Sequence, residues 1–220
     1  MNILLGFVFL SAILDWYAVY KGWKKLEYFL KPLTMVFLFI FLLTSTDFQG
    51  ITLWFGVGIL FSLAGDIFLM LPKEQFIAGL VAFLLGHVAY IVGFNQSFPP
   101  LDVFGIVVAI ILGMASAKLY RNIADGLVKQ GKEKLQKPVL AYTAVITIML
   151  LSALLTFSRP DWDTRTAATV SVGAALFMLS DMILAWNKFV QPIKYGRVMN
   201  MSAYHLGQII LIYGVVVYSG

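Results

Sequence analysis

Residues 59–70 read Ile59-Leu60-Phe61-Ser62-Leu63-Ala64-Gly65-Asp66-Ile67-Phe68-Leu69-Met70, an apolar run with one carboxylate inside it. A second run, Gly173-Ala174-Ala175-Leu176-Phe177-Met178-Leu179-Ser180-Asp181-Met182-Ile183-Leu184-Ala185, repeats the arrangement. An aspartate near the centre of a membrane helix costs roughly 2.5–3.5 kcal/mol on insertion scales. Carrying that cost twice points to use, so both segments read as lipid-spanning helices built around a functional acid.

The rest of the chain fits that reading. Of 220 residues, 60% are hydrophobic and 12% charged, and the mean hydropathy is +0.88. Soluble domains carry about a quarter charged residues, so the composition describes an all-α polytopic membrane protein, one integral domain over residues 1–220. Met1-Asn-Ile-Leu-Leu lacks the basic start of a signal peptide, and the first apolar run is taken as a retained helix. The chain has no cysteine, which excludes disulfides, thiolate nucleophiles and Cys-ligated metals.

About 20 apolar residues span a bilayer. Eight segments qualify: 1–20, 32–47, 51–71, 75–95, 101–120, 138–157, 166–187 and 199–219. Pro72-Lys-Glu, Phe98-Pro-Pro and Ser158-Arg-Pro-Asp break the runs. Fourteen of the 16 basic residues fall in connections on one side, among them Lys31, Lys73, Lys129, Lys188 and Arg197, while Arg159 and Arg165 fall on the other. By the positive-inside rule both termini face outward and the odd-numbered connections are cytoplasmic. The basic excess reflects topology and not nucleic-acid binding. Asp66 and Asp181 then share a level, roughly 9 Å inside the cytoplasmic ends of helices 3 and 7. Leu60–Asp66 and Leu176–Asp181 are similar strings, as are Leu85-Gly-His87 and Leu206-Gly-Gln208, which suggests a parallel 4+4 internal repeat.

Depth picks out further polar residues. Helix 8 places Asn200, Tyr204, His205 and Gln208 near the acids, with Tyr204 and Gln208 on one face. Ser62 lies one turn from Asp66, Asn187 lies just below Asp181, and His87 and Tyr90 share a deeper face of helix 4. Asp15, Asn187 and Asn200 sit close enough to helix ends to be interfacial or capping residues, and His205 and Gln208 to be interhelical hydrogen-bonding groups. No basic residue is seen inside the apolar spans to neutralise the two acids. Two buried carboxylates close together should not both be ionised; they share a proton and make a general acid beside a general base. A proton-coupled carrier of a lipid or small amphiphile would use the same pair, and a lipid-binding protein without turnover leaves it unexplained. A metal site is disfavoured, because no His-rich pattern accompanies the acids, and no cofactor is expected.

At these residues the chain resembles the YhhN/TMEM86 family of integral membrane proteins, whose characterised members are lysoplasmalogenases. Lys31-Pro-Leu opening helix 2, Ser62-x-x-Gly-Asp66-x-x-Leu-Met70, Phe76-x-x-Gly79-x-x-x-Phe83-x-x-x-His87-x-x-Tyr90 and Tyr204-x-x-x-Gln208 carry the likeness. Gly173-Ala-x-Leu-Phe177-x-x-Ser180-Asp181-x-x-Leu-Ala185 is the most specific of its motifs. His205 departs from the pattern, where another aromatic is expected. The resemblance implies hydrolysis of the vinyl-ether bond of lysoplasmalogens, or a related lysolipid, to a fatty aldehyde and a glycerophospho head group. It implies Asp66 and Asp181 as catalytic residues in the cytoplasmic half of a bacterial cytoplasmic membrane. Lys31, Ser62, His87, Tyr90, Ser180, Asn187, Tyr204 and Gln208 would bind substrate or support the acids. Lys31, with Arg197, is expected to meet the lipid phosphate.

Overall fold

The computed structural model describes residues 3–71, 75–97 and 102–220. Eight helices run α1 Ile3–Lys21, α2 Lys24–Ser45, α3 Ile51–Met70, α4 Phe76–Phe94, α5 Val103–Lys129, α6 Gln136–Leu154, α7 Thr164–Phe189 and α8 Gly196–Ser219, and there is no strand among the described residues. All eight are long and apolar enough to cross a membrane, α6 together with the short 3-10 turns flanking it. The breaks read at Pro72-Lys73-Glu74 and Phe98-Pro-Pro lie outside the described residues.

Local chemistry sets several helix ends. After α1 the Gly22 amide donates to the Val19 carbonyl and the Trp23 amide to the Ala18 carbonyl, at 3.2 and 2.9 Å. That double closure needs a left-handed residue at its centre, and Gly22 has φ +71°. Asp102 and Asp163 cap α5 and α7 by accepting from the Gly105 amide and from the Arg165 and Thr166 amides. Ser158, donating to Asp102, and Thr166, donating to Asp163, hold both carboxyls below their ordinary value.

Two expected boundaries move. Helix 2 does not begin at Pro32; α2 starts at Lys24, and Pro32 lies inside it. Lys31, assigned from sequence to the connection, is therefore a helical residue, and it is buried. A run of lysines and a glutamate reads as loop, yet paired charges and aliphatic stems let the helix continue through it. Helix 5 likewise runs on to Lys129.

The helix pairs α3–α4 and α7–α8 pack most extensively, while α5 is peripheral. Small residues permit the close approach. A Cβ on Gly173 would sit 2.4 Å from the Leu211 amide nitrogen, and one on Gly207 2.7 Å from that of Phe177. The interior between these pairs is aromatic, with Phe55, Tyr90, Phe94 and Phe177 fully or almost fully buried.

Candidate active site

Asp66 lies four residues before the end of α3 and Asp181 eight before the end of α7, about 6 and 12 Å along each helix. Both line one cavity of about 160 Å³, whose charged wall is made by Glu27, Lys31, Lys188 and Arg197. A second, apolar cavity of about 60 Å³ runs between α4, α5, α6 and α7, lined by Leu80, Leu119, Ile146 and Met178 among others. Asp181, Phe76, Phe83 and Leu184 belong to the walls of both cavities. A polar chamber thus adjoins an apolar one, with a carboxylate at the junction.

The two acids are held differently. The Lys31 ammonium lies 2.9 Å from Asp66 Oδ1, and the Tyr204 hydroxyl donates to Asp66 Oδ2 at 2.8 Å. Asp66 has no exposure at all, and its lysine is also buried. A basic residue does therefore lie within the apolar spans, against the sequence expectation, and it neutralises one acid. Lys31 lines the polar cavity while paired with Asp66. Arg197, its expected companion, makes a two-pronged pair with Glu27 at 2.7 and 2.8 Å.

Among the described residues no lysine or arginine pairs with Asp181. Tyr142 donates to its Oδ2 at 2.5 Å. His87 Nε2 lies 2.9 Å from the Tyr142 oxygen and 3.3 Å from the same carboxylate oxygen. Since Tyr142 spends its proton on Asp181, its oxygen accepts from His87, which puts the imidazole proton on Nε2. His87 Nδ1 is buried without a hydrogen-bond partner. Tyr142 was not found from sequence, although a signal existed. It lies six residues into α6 from the same end of the bundle, the depth at which helices 3, 7 and 8 were searched.

A neutral network lies beneath the acids. Tyr90 donates to Gln208 Oε1 at 2.8 Å, and Gln208 Nε2 donates to Ser62 Oγ at 3.0 Å. Phe83 stands edge-on to Phe177 and Tyr204 between the two chambers. Asn200 is no interfacial cap: it is buried, and its amide donates to the Ser180 carbonyl and hydroxyl at 2.8 and 2.9 Å. Asn187 accepts from the Ile193 amide at 2.8 Å and ties the end of α7 to the connection that follows it. Asp15 is a further correction. Read as interfacial, it has 0% exposure because α1 is covered there by α2 and α8, and neither oxygen has a hydrogen-bond partner. His205 bonds between helices, accepting from Trp16 Nε1 at 3.1 Å.

Among the described residues no cluster of three metal-binding side chains occurs. The fold and the site define an integral membrane protein whose helical bundle holds two acids, one fully buried and one partly exposed, on a polar cavity that adjoins an apolar one. The YhhN family model matches residues 26–215, and the chain belongs to that family. It is 32% identical over 159 residues to the Lysoplasmalogenase TMEM86A of Homo sapiens, covering 70% of this chain and 62% of that one. Against the Lysoplasmalogenase TMEM86B of Mus musculus it is 30% identical over 166 residues, 74% and 64% of the two chains. Against the Uncharacterized membrane protein YhhN of Escherichia coli O6:H1 it is 24% identical over 212 residues, 93% and 94% of the two. The chain therefore spans about three fifths of the length of the lysoplasmalogenases it matches. No solved structure matches it.

Proposed function

We propose that this protein is a membrane-embedded hydrolase that cleaves the vinyl-ether bond of a lysoplasmalogen or a related single-chain ether lipid. One observation carries the reading: the carboxylates of α3 and α7 line a single cavity, and Asp181 also lines the apolar cavity beside it. A lipid chain among Leu80, Ile146 and Met178 would bring its first carbons to Asp181, with the head group toward Glu27, Lys188 and Arg197.

The surroundings of the two acids divide the work. Asp66, paired with an ammonium, is the anion. Asp181, with no lysine or arginine paired to it among the described residues, is assigned the role of proton donor. Asp181 gives a proton to the second carbon of the vinyl ether. The double-bond electrons form the new C–H bond, and positive charge develops on the first carbon and the ether oxygen, facing the Asp66 carboxylate. Water adds to the first carbon and returns a proton to Asp181, giving a hemiacetal. Its collapse breaks the C–O bond to glycerol and releases the aldehyde and the free hydroxyl. With Lys31 and Tyr204 on its two oxygens, Asp66 is better arranged to stay ionised throughout. The connections beside the cavity carry the lysines and arginines, so the positive-inside rule turns it toward the cytoplasm, with both termini outside.

Purified protein incubated with lysoplasmalogen in D2O should release aldehyde bearing one deuterium next to the carbonyl. Asp181→Asn should release almost none. Aldehyde without that deuterium, or unimpaired release by Asp181→Asn, refutes the mechanism. Vectorial uptake into proteoliposomes without aldehyde would mark a carrier instead.

A further inference from the structure

A second charged group is buried at the far end of the bundle, just before α7 begins. Arg159 is 4% exposed. Its Nη1 donates to the Ser97 carbonyl and hydroxyl at 2.8 and 2.9 Å, and its Nη2 to Asn95 Oδ1 at 2.9 Å. The Asn95 amide is itself oriented by donating to the Ile91 carbonyl and to Ser152 Oγ, both at 2.8 Å. Every one of these acceptors is neutral. Nε has no hydrogen-bond partner, and among the described residues no carboxylate forms an ion pair with the guanidinium. Two of its five N–H donors are thus left over.

Stapling the α4–α5 connection to the α6–α7 connection accounts for the three bonds but not for the charge. A cation withdrawn from water without an anion beside it is a heavy penalty, and a neutral amide could staple two loops without it. The guanidinium also lines a cavity of about 190 Å³ that lies outside the carboxylate site, walled by Gln96, Ser97, Asp161, Trp162 and Tyr218. Asp161 is exposed and accepts from the Tyr218 hydroxyl at 2.8 Å. The Trp162 and Tyr218 rings stack with centroids 3.9 Å apart.

The charges are ordered: a buried cation within, an exposed carboxylate outside. A simple anion would meet the repulsion of Asp161, and a simple cation that of Arg159. A ligand with an anion leading and an ammonium trailing satisfies both. The cavity lies where α3 begins and where α4 and α8 end, the level of lipid head groups, with a Trp and a Tyr of the kind enriched at membrane interfaces. We propose that this cavity is a binding site for a zwitterionic phosphate ester, the phosphate facing the Arg159 charge and the ammonium held by Asp161 beside the Tyr218 ring. Phosphoethanolamine and phosphocholine groups have this chemistry, whether on a membrane phospholipid or on a free ester.

The test uses full-length protein stripped of phospholipid in detergent, with bound molecules counted by native mass spectrometry. The probes are diacyl phosphatidylethanolamine, diacyl phosphatidylglycerol, soluble glycerophosphoethanolamine and glycine. Wild type should bind one ethanolamine-bearing molecule that Arg159→Gln loses or holds roughly tenfold more weakly. Asp161→Asn changes an exposed side chain and keeps the proposal testable if the arginine variant fails to fold. It should retain phosphate binding but lose the preference for ethanolamine over glycerol head groups. Retention of the diacyl lipid alone identifies a membrane lipid as the source, and retention of the soluble ester identifies a free one; either supports the site. The proposal is overturned if wild type binds the two lipids equally, if glycine binds in place of the esters, or if both variants bind as wild type does.

Discussion

Asp66 and Asp181 occupy similar strings of sequence and face one cavity, yet their surroundings are chemically opposite. Asp66 has a buried ammonium at 2.9 Å and no contact with solvent. Asp181 has a tyrosine and an imidazole, and its side chain keeps 13% exposure. A buried carboxylate is costly without a compensating partner, and the ammonium beside Asp66 has no counterpart at Asp181 among the described residues. The contrast teaches that motif similarity placed the acids while long-range partners differentiated them.

Breaking the difference directly should have the largest effect. Asp181→Asn is expected to lower kcat roughly 10³-fold, and Asp66→Asn about 10²- to 10³-fold, with little change in KM, read as aldehyde release. Equal activity in either variant would erase the distinction. Next comes the ion pair. Lys31→Met should lower stability by about 3–5 kcal/mol, because it strands a buried carboxylate. Lys31→Met/Asp66→Asn should recover most of that stability in chemical unfolding while remaining inactive. A single variant as stable as wild type would show that the pair does not carry charge.

Tyr142→Phe should cost roughly tenfold in kcat with KM unchanged, since it removes one hydrogen bond to the acid that moves the proton. Tyr90→Phe, in the network below, should cost about 1 kcal/mol of stability and leave turnover nearly intact. The smallest effect belongs to the capping aspartates. Asp102 and Asp163 are lowered in the folded state by Ser158 and Thr166. They therefore stabilise the fold above the unfolded carboxylate value, and that contribution fades as pH falls through their folded values. Asp163→Asn should flatten the loss of melting temperature between neutral and strongly acidic pH, an outcome that a steeper loss would contradict.

Much of this molecule was legible because membrane insertion leaves few options. Apolar runs of the required length, cut by Gly, Pro and charged residues, gave eight helices. The misplaced start of α2 came from reading residues 24–31 by composition, when Glu27 and Lys31 are satisfied by Arg197 and Asp66 from distant helices. Matching depth along helices 3, 7 and 8 found Asp66, Asp181, Tyr204 and Gln208, all of which contribute to one site or its floor. It missed Tyr142 because helix 6 was not searched at that depth. Asp15 was misread for a related reason: nearness to a helix end says how deep a residue lies, not whether a neighbouring helix covers it.

The Tyr90–Gln208–Ser62 network also sets what the acids can communicate with. Toward the Arg159 end, the buried polar side chains among the described residues are serines and threonines, such as Thr52, Ser152, Thr156 and Ser171, until Arg159 itself. Hydroxyls and amides do not take up charge at neutral pH, so the bundle is an insulator across that half of its thickness. In the proposed reaction water returns the proton that Asp181 gives, so no net proton is consumed and exchange with solvent runs through the polar cavity. The proposed turnover should therefore be indifferent to an imposed potential in sealed vesicles.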